Sequence, residues 1–178
     1  MGKRTNRIAV FVDHDNFKSG YLRQFRVDEM SFEIWENLND RLMNLYAHFF
    51  PFPERLDHIG TWITLALIKS SGKKFKEKIS DIDRLQKFIV KYGFRKNFKE
   101  KAVDTEIVCQ MLMGAVRDEY DVSMILSDDA DYIPAVHRIQ DMFGKRVIQV
   151  GFEEKSKLRA ACFGHVPLEC GTAELSIN

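Results

Sequence analysis

Cysteine is scarce and badly placed for the roles it usually plays in small proteins. Cys109, Cys162 and Cys170 are odd in number and include no Cys-x-x-Cys pair, so neither a closed disulfide framework nor a zinc or redox motif is expected. A reducing compartment is the simplest setting. An excess of one charge is also missing: 27 Lys and Arg face 26 Asp and Glu, for a formal net charge of +1. No global field therefore draws the chain to nucleic acid or membrane, and any such surface has to come from local clustering. No apolar run approaches the roughly 18 residues of a membrane span. The basic start at Met1 to Arg7 is followed only by Ile8 to Val12 before Asp13, too short for a signal-peptide core. These absences lead us to expect a soluble, cytoplasmic protein with no membrane partner. Nothing reads as a repeat, linker or low-complexity stretch, so the 178 residues are expected to form one domain.

What is present is a 45% apolar chain in which strand and helix patterns alternate. Ile8 to Val12 is continuous, branched and apolar, the pattern of a strand buried on both faces. Trp35, Leu38, Leu42, Leu45 and Phe49 recur at helical spacing, which predicts one helix over 31–49 with Ser31 as its cap and Pro51 and Pro53 beyond its end. A strand is expected over 59–68, a basic loop over 69–78, and a helix over 80–92 with Ile82, Leu85, Phe88 and Ile89 on one face. Phe94 to Phe98 can form a short strand. Residues 103–119 form the clearest later helix, with Cys109 expected as a small core residue within it. Strands at 122–126 and 146–150, helices at 131–143 and near 156–163, and a short tail complete the pattern. Such alternation predicts an α/β three-layer sandwich around a mostly parallel sheet of about four or five strands. The core is expected over about 7–152, with a helical insertion at about 20–57 and a C-terminal tail at 153–178.

Two acidic clusters stand at strand ends: Asp13-His14-Asp15-Asn16 after the first strand, and Ser127-Asp128-Asp129-Ala130-Asp131 after the strand at 122–126. In open parallel sheets, ligands bind beyond those ends. Gathered carboxylates repel one another and lose hydration, and a bound cation is the usual reason to gather them. Helix capping alone accounts for Asp15 or Asp131 taken singly, but one helix start needs only one cap. Asp104 opens a helix whose buried stripe includes Ile107, Val108 and Met111, so it is expected to lean toward the core side. It can be a cap or dipole partner there, or it can converge with Asp13 and Asp129 on one metal. Oxygen ligands without a Cys/His pattern suit Mg2+ or Mn2+ rather than zinc. His14 is expected as a solvent-facing or supporting group. Asp128 is expected to face water or to add charge near the metal.

The residues also resemble a known family. Phe11-Val12-Asp13-His14-Asp15-Asn16 resembles the opening motif of NYN domains, a branch of the PIN-like nuclease fold, and Lys101-Ala102-Val103-Asp104 resembles their Lys-x-Val-Asp motif. Ile125 to Tyr132 resembles their Ser-x-Asp-x-Asp-aromatic motif, and Gly144 to Val147 with Val150-Gly151 resembles the closing strand. The match runs in order from about Arg7 to Phe152 and looks most like the bacterial LabA-like members. Positions 14 and 128, often glycine in these motifs, are His and Asp here. The resemblance implies a metal-dependent ribonuclease fold with Asp13, Asp104, Asp129 and Asp131 as the acidic metal centre. Asp15 is a secondary candidate, Asn16 would orient a ligand or phosphate, Ser127 would support the centre, and Lys101 would meet the RNA backbone.

Lys73, Lys74, Lys76, Lys78, Lys96, Lys99 and Lys101 are the candidates for an RNA track, against the plainer reading of a solvated surface. Phe75 and Phe98 lie among them and can either stack bases or anchor the core. RNA is the expected partner; DNA stays open as a substrate, and a homo-oligomer is compatible with the chain. Two rival readings are carried forward. One is a haloacid-dehalogenase-like phosphatase using Asp13 and Asp15, which leaves Asp104 without a task. The other is an RNA-binding NYN domain that keeps the fold without the chemistry.

Overall fold

Alternate residues of the first strand go to opposite cores, and the three layers follow from that. The computed structural model describes residues 5–50, 55–65, 74, 77–78, 88–92, 94–96, 99–152 and 155–168. Strand β1, Thr5–Asp13, sends Ile8, Val10 and Val12 to one face and Ala9 and Phe11 to the other. All five are essentially buried, as a strand covered on both sides requires.

Helix α1, Helix α2 and Helix α3 cover the first face: His14–Phe25, Glu33–Glu36 and Leu38–Phe49. Phe17, Trp35, Leu38, Leu42 and Tyr46 supply much of that core. The single helix expected over 31–49 is broken at Asn37 (φ −105°, ψ 2°), whose side-chain and backbone N–H groups both donate to the Glu33 carbonyl. Asn competes for backbone groups in this way, which suits it to helix ends. Chain reversal brings in strand β2, Arg55–Leu65, and strand β3, Phe88–Tyr92. The expected helix over 80–92 is therefore wrong at 88–92, where Phe88 to Tyr92 pairs in parallel with Thr61 to Leu65. A half-buried run of this kind satisfies strand and helix patterns alike, and sheet pairing decides it. Its remainder, residues 80–87, lies outside the described residues, as do the prolines at 51 and 53 and most of the expected loop over 69–78. Lys74, Glu77 and Lys78 are helical rather than looped.

Next comes a two-stranded antiparallel hairpin of β4, Phe94–Lys96, and β5, Lys99–Lys101. Helix α4, Val103–Val116, buries Val103, Ile107, Met111 and Ala115 on the second face. Cys109 lies off that stripe and is exposed, contrary to the core position expected. Then follow β6, Val122–Leu126; α5, Ile133–Phe143; β7, Arg146–Gly151; α6, Lys157–Ala161; and β8, Gly164–Pro167. Strand β8 pairs in parallel with β7, where only tail was expected. The main sheet has six parallel strands in the order β3-β2-β1-β6-β7-β8, one more than the upper expectation of five. No described helix is long and apolar enough to cross a membrane.

The opening ends of β1 and β6 are locked by charge. The Arg7 guanidinium donates to both oxygens of Asp121 at 3.1 Å, and the Arg7 backbone N–H donates to the same carboxylate at 3.0 Å. Burial alone would raise the Asp121 pKa, but these bonds, helped by the charge of Lys145, hold it down at about 2. An acid with a lowered folded pKa adds stability above its unfolded value of 3.8, and that stability is lost as pH falls toward about 2. Asp121→Asn should therefore lower the unfolding free energy by about 1–2 kcal/mol at neutral pH, with the deficit shrinking across that acid window. Urea melts over the same pH range check it; a deficit that does not change with pH contradicts the assignment.

Candidate active site

The sheet order reverses direction at β1. Strands β2 and β3 extend one way from it and β6, β7 and β8 the other. The loops leaving β1 and β6 thus diverge from neighbouring strand ends, which opens a crevice at the carboxyl edge. Asp13, the last residue of β1, has the parity of Ala9 and Phe11 and so faces the α4 and α5 side. Asp13 as a whole is 5% exposed. One oxygen, Oδ1, accepts from the Asn16 backbone N–H at 3.1 Å, capping α1. The other accepts from the Tyr132 hydroxyl at 3.0 Å, and the same hydroxyl lies 2.9 Å from Asp104 Oδ1. Asp104 sits exposed in the first turn of α4, just after Ala102, which takes a left-handed conformation (φ 68°) that costs a non-glycine residue strain. A cavity of ≈ 310 Å³ is lined by Asp13, Asp15, Asp104 and Asp129 together with Asn16, Ser19, Ala102 and Val103.

Among the described residues, this cavity wall is acidic and includes no lysine or arginine. Burial pushes the Asp13 carboxyl up to about 6; bonds from Asn16 and Tyr132 oppose the rise, and the charges of Asp104 and Asp15 add to it. Burial, then the charges of Asp13 and Asp104, push the Tyr132 phenol far above its usual range, so it stays protonated. A phenol carries one proton, and here two carboxylates compete for it. A second group is also short of a partner. Thr64 pairs with Asp13 across β1 and β2, on the face where Phe11 and Trp62 stack two residues earlier. Its side-chain hydroxyl is fully buried and has no hydrogen-bond partner among the described residues. An orphaned hydroxyl, a doubly claimed proton and an oxygen-only donor set fit a hard divalent cation. Among the described residues, however, no three His, Cys, Asp or Glu side chains are grouped closely enough to hold a metal ion. The acids line one cavity without forming a closed ligand set.

Asp129 is half-buried and caps a 3-10 turn, Ala130–Tyr132, by accepting from the Asp131 backbone N–H at 2.9 Å. Asp131 is itself exposed and is not among the cavity-lining residues. Capping thus falls to Asp13 and Asp129, not to Asp15 and Asp131, because each helical segment begins directly where its strand or loop ends. Ser127 is buried and accepts from the Asp129 N–H at 3.1 Å, supporting that loop. Asp15 bonds the His14 ring at 2.7 Å, and that ring stacks on Trp35. Asn16 lines the cavity, yet its side-chain oxygen accepts from the Asp128 N–H at 3.0 Å, joining the two strand-end loops. Lys96, Lys99 and Lys101 lie on the hairpin that runs into Ala102, and Lys74 is exposed. Lys78 places its ammonium 5.2 Å from the centre of the Phe32 ring. Lys73, Lys76, Phe75 and Phe98 lie outside the described residues.

Asp128 does not simply face water. Its carboxylate accepts from Gln149 Nε2 at 2.7 Å and from the Phe152 N–H at 3.2 Å, and its carbonyl accepts from Ser156 Oγ at 3.2 Å. Buried Gln149 also donates to the Ser127 carbonyl at 2.9 Å. Gly151 makes room for this clamp, since a Cβ there would strike both Gln149 and Asp128. The Phe152 ring in turn packs on Phe17, Tyr21 and Phe25 of α1, close against Gly20. Sequence reasoning missed Gln149 and Thr64 and saw Tyr132 only as a motif aromatic. The one available signal was parity: Thr64 shares the strand face of Trp62.

With this geometry in place, the chain can be set beside known proteins. The NYN domain profile matches residues 7–169, nearly the whole chain, and the protein belongs to that family of the PIN-like nuclease fold. The fold is also similar to a crystal structure of a protein of unknown function from Vibrio parahaemolyticus. That similarity has a TM-score of 0.67 and 17% identity, and covers 95% of this chain and 96% of the other. No curated protein matches the chain.

Two substitutions test the electrostatics without any substrate. Asp13 has a raised folded pKa, so its ionisation works against folding as pH rises from 3.8 through about 6. Asp13→Asn keeps the cap and supplies an N–H to Tyr132, so without divalent metal it should gain roughly 1–3 kcal/mol above that window and almost nothing below it. Thermal melts in EDTA at several pH values check this, and a destabilised variant at neutral pH contradicts it. Thr64→Val, which removes the orphaned hydroxyl at nearly constant volume, should stabilise the metal-free protein by about 1 kcal/mol; a loss of that size in the same melts would mean that the hydroxyl has a partner.

Proposed function

We propose that this NYN domain is a ribonuclease that hydrolyses RNA phosphodiester bonds with Mg2+ or Mn2+. The observation that carries the reading is that carboxylates from β1, α1, α4 and the loop after β6 line one cavity at the β1/β6 divergence, with no basic residue lining it among the described residues. Asp13 from β1, Asp104 from α4 and Asp129 from the loop after β6 would hold the cation, with Asp15 and Asp131 as further acids nearby. A bound divalent ion supplies an activated water at neutral pH and neutralises the oxygens of the phosphate and leaving group.

The chain's own residues supply the geometry. Asp13 is fixed through both oxygens, so its position is set before substrate arrives. Ser127 and Asn16 hold the loops that carry Asp129 and Asp13. The β4–β5 hairpin, which carries Lys96, Lys99 and Lys101, leads into the cavity-lining Ala102 and Val103, so it is suited to meet the RNA backbone beside the acids. Motifs from Phe11 to Asn16 and from Ile125 to Tyr132 favour the LabA-like branch, and free Cys109 and Cys162 favour a cytoplasmic setting.

A second reading has one observation in its favour. Because no three described acids are grouped closely enough to hold a metal, the domain can instead bind RNA without cleaving it. Asp104→Asn separates the two. Under the ribonuclease reading it should cut Mn2+-dependent RNA cleavage by at least about 100-fold while leaving the melting temperature in EDTA nearly unchanged. Cleavage undiminished in a clean preparation of this variant overturns the proposal. RNA binding that persists in EDTA, with no cleavage by the unaltered protein under any divalent metal, selects the second reading.

A further inference from the structure

We propose that Tyr132 is a positioning residue of the acidic centre, its hydroxyl holding Asp13 and Asp104 from the core side so that both carboxylates are presented to the cavity. The proposal rests on the cation site argued above and assigns the group that shapes it.

Tyr132 is fully buried, while Asp104 is exposed on the rim. The phenol therefore approaches the carboxylates from within the protein, and the cavity lies on their other side. Its ring belongs to the core between the sheet and the helices α4 and α5, beside Ile107, Val136 and Ile139, which fixes where the oxygen sits. The bonds at 3.0 and 2.9 Å span two elements far apart in the chain. Among the described residues, Tyr132 supplies the only hydrogen bond to the Asp104 side chain. Without it, an exposed aspartate in the first turn of a helix is free to turn among its staggered rotamers. The 3-10 turn that delivers Tyr132 is also the one that Asp129 caps, so one short segment carries an acid and the group that orients two others.

Sharing one proton has a further consequence. The hydroxyl has one proton, so at any moment it donates to one carboxylate while the other lies within reach of the same bond. The pair is therefore under repulsion until positive charge enters the cavity. Hydrogen bonds behind a ligating group set its orientation, and losing one typically weakens metal affinity about 10–100-fold. Tyr132→Phe removes the oxygen, keeps the ring and its packing, and leaves no buried donor behind.

The test measures Mn2+ binding to the full chain by electron paramagnetic resonance of the free ion, with no RNA present, for the unaltered protein and Y132F. Melts in EDTA and RNA cleavage over a range of Mn2+ concentrations accompany it. Positioning predicts Mn2+ affinity at least about 10-fold weaker in Y132F, with cleavage recovering as Mn2+ is raised to saturation. A merely structural hydroxyl would change the melt and leave Mn2+ affinity alone. Unchanged or tighter Mn2+ binding by Y132F overturns the role of Tyr132 and leaves the ribonuclease reading standing. Failure of the unaltered protein to bind Mn2+ at millimolar concentration overturns both.

Discussion

A single phenolic proton between two carboxylates is the constraint on which the rest of the site depends. Asp13 and Asp104 come from elements about ninety residues apart, and among the described residues only Tyr132, from a third, reaches both. Such an arrangement is costly in a folded protein, because it buries a carboxylate beside another and leaves both short of donors. The fold bears that cost by surrounding the site with a rigid frame. Strands β1 and β6 are locked at their opening ends by Arg7 and Asp121, and nearly every side chain along them is buried. Their carboxyl ends are thereby delivered in register, side by side. The strained backbone at Ala102 and the orphaned hydroxyl of Thr64 lie close to the same place. Strain and unsatisfied polarity gathered in one crevice are the marks expected where structure has been given over to function.

Holding the loop after β6 is a separate task, and Asp128 performs it. The acid at a position often glycine in the family has become a structural tie, reaching Gln149, Phe152 and, through its backbone, Asn16 and Ser156. This links the acidic loop to the end of β7 and, through the Phe152 ring, to α1. An aspartate next to the candidate ligands is thus kept out of the ligand set by its partners, not by distance along the chain.

The central architecture could be read from the chain because its signals are local. Ile8 to Val12 and Val122 to Leu126 are continuous apolar runs, and each is followed at once by acids, so the strands and the edge they share were visible together. Parts that depend on pairing were not. Phe88 to Tyr92 fits a helical face as well as a strand until β2 is placed beside it. Gly164 to Pro167 is too short to announce a sixth strand, and it becomes one only by pairing with β7. In the site, aspartates could be proposed from their types and order, and the cavity brings Asp13, Asp104 and Asp129 to one wall. Which of them cap, which tie loops and which face the cavity is set by where each segment starts, to within a single residue. Tyr132, Thr64 and Gln149 are visible only in three dimensions, since their roles are relations between strands and faces and not patterns in any one segment.

The central claim is that the cavity lined by Asp13, Asp104 and Asp129 binds a divalent cation. Crystals of the full chain grown or soaked with Mn2+ and measured at a wavelength where manganese scatters anomalously test it most directly. The account predicts one or two anomalous peaks within ligand distance of Asp13, Asp104 and Asp129. Clean maps at high Mn2+ with no peak in that cavity, or a peak held by other residues, would contradict it.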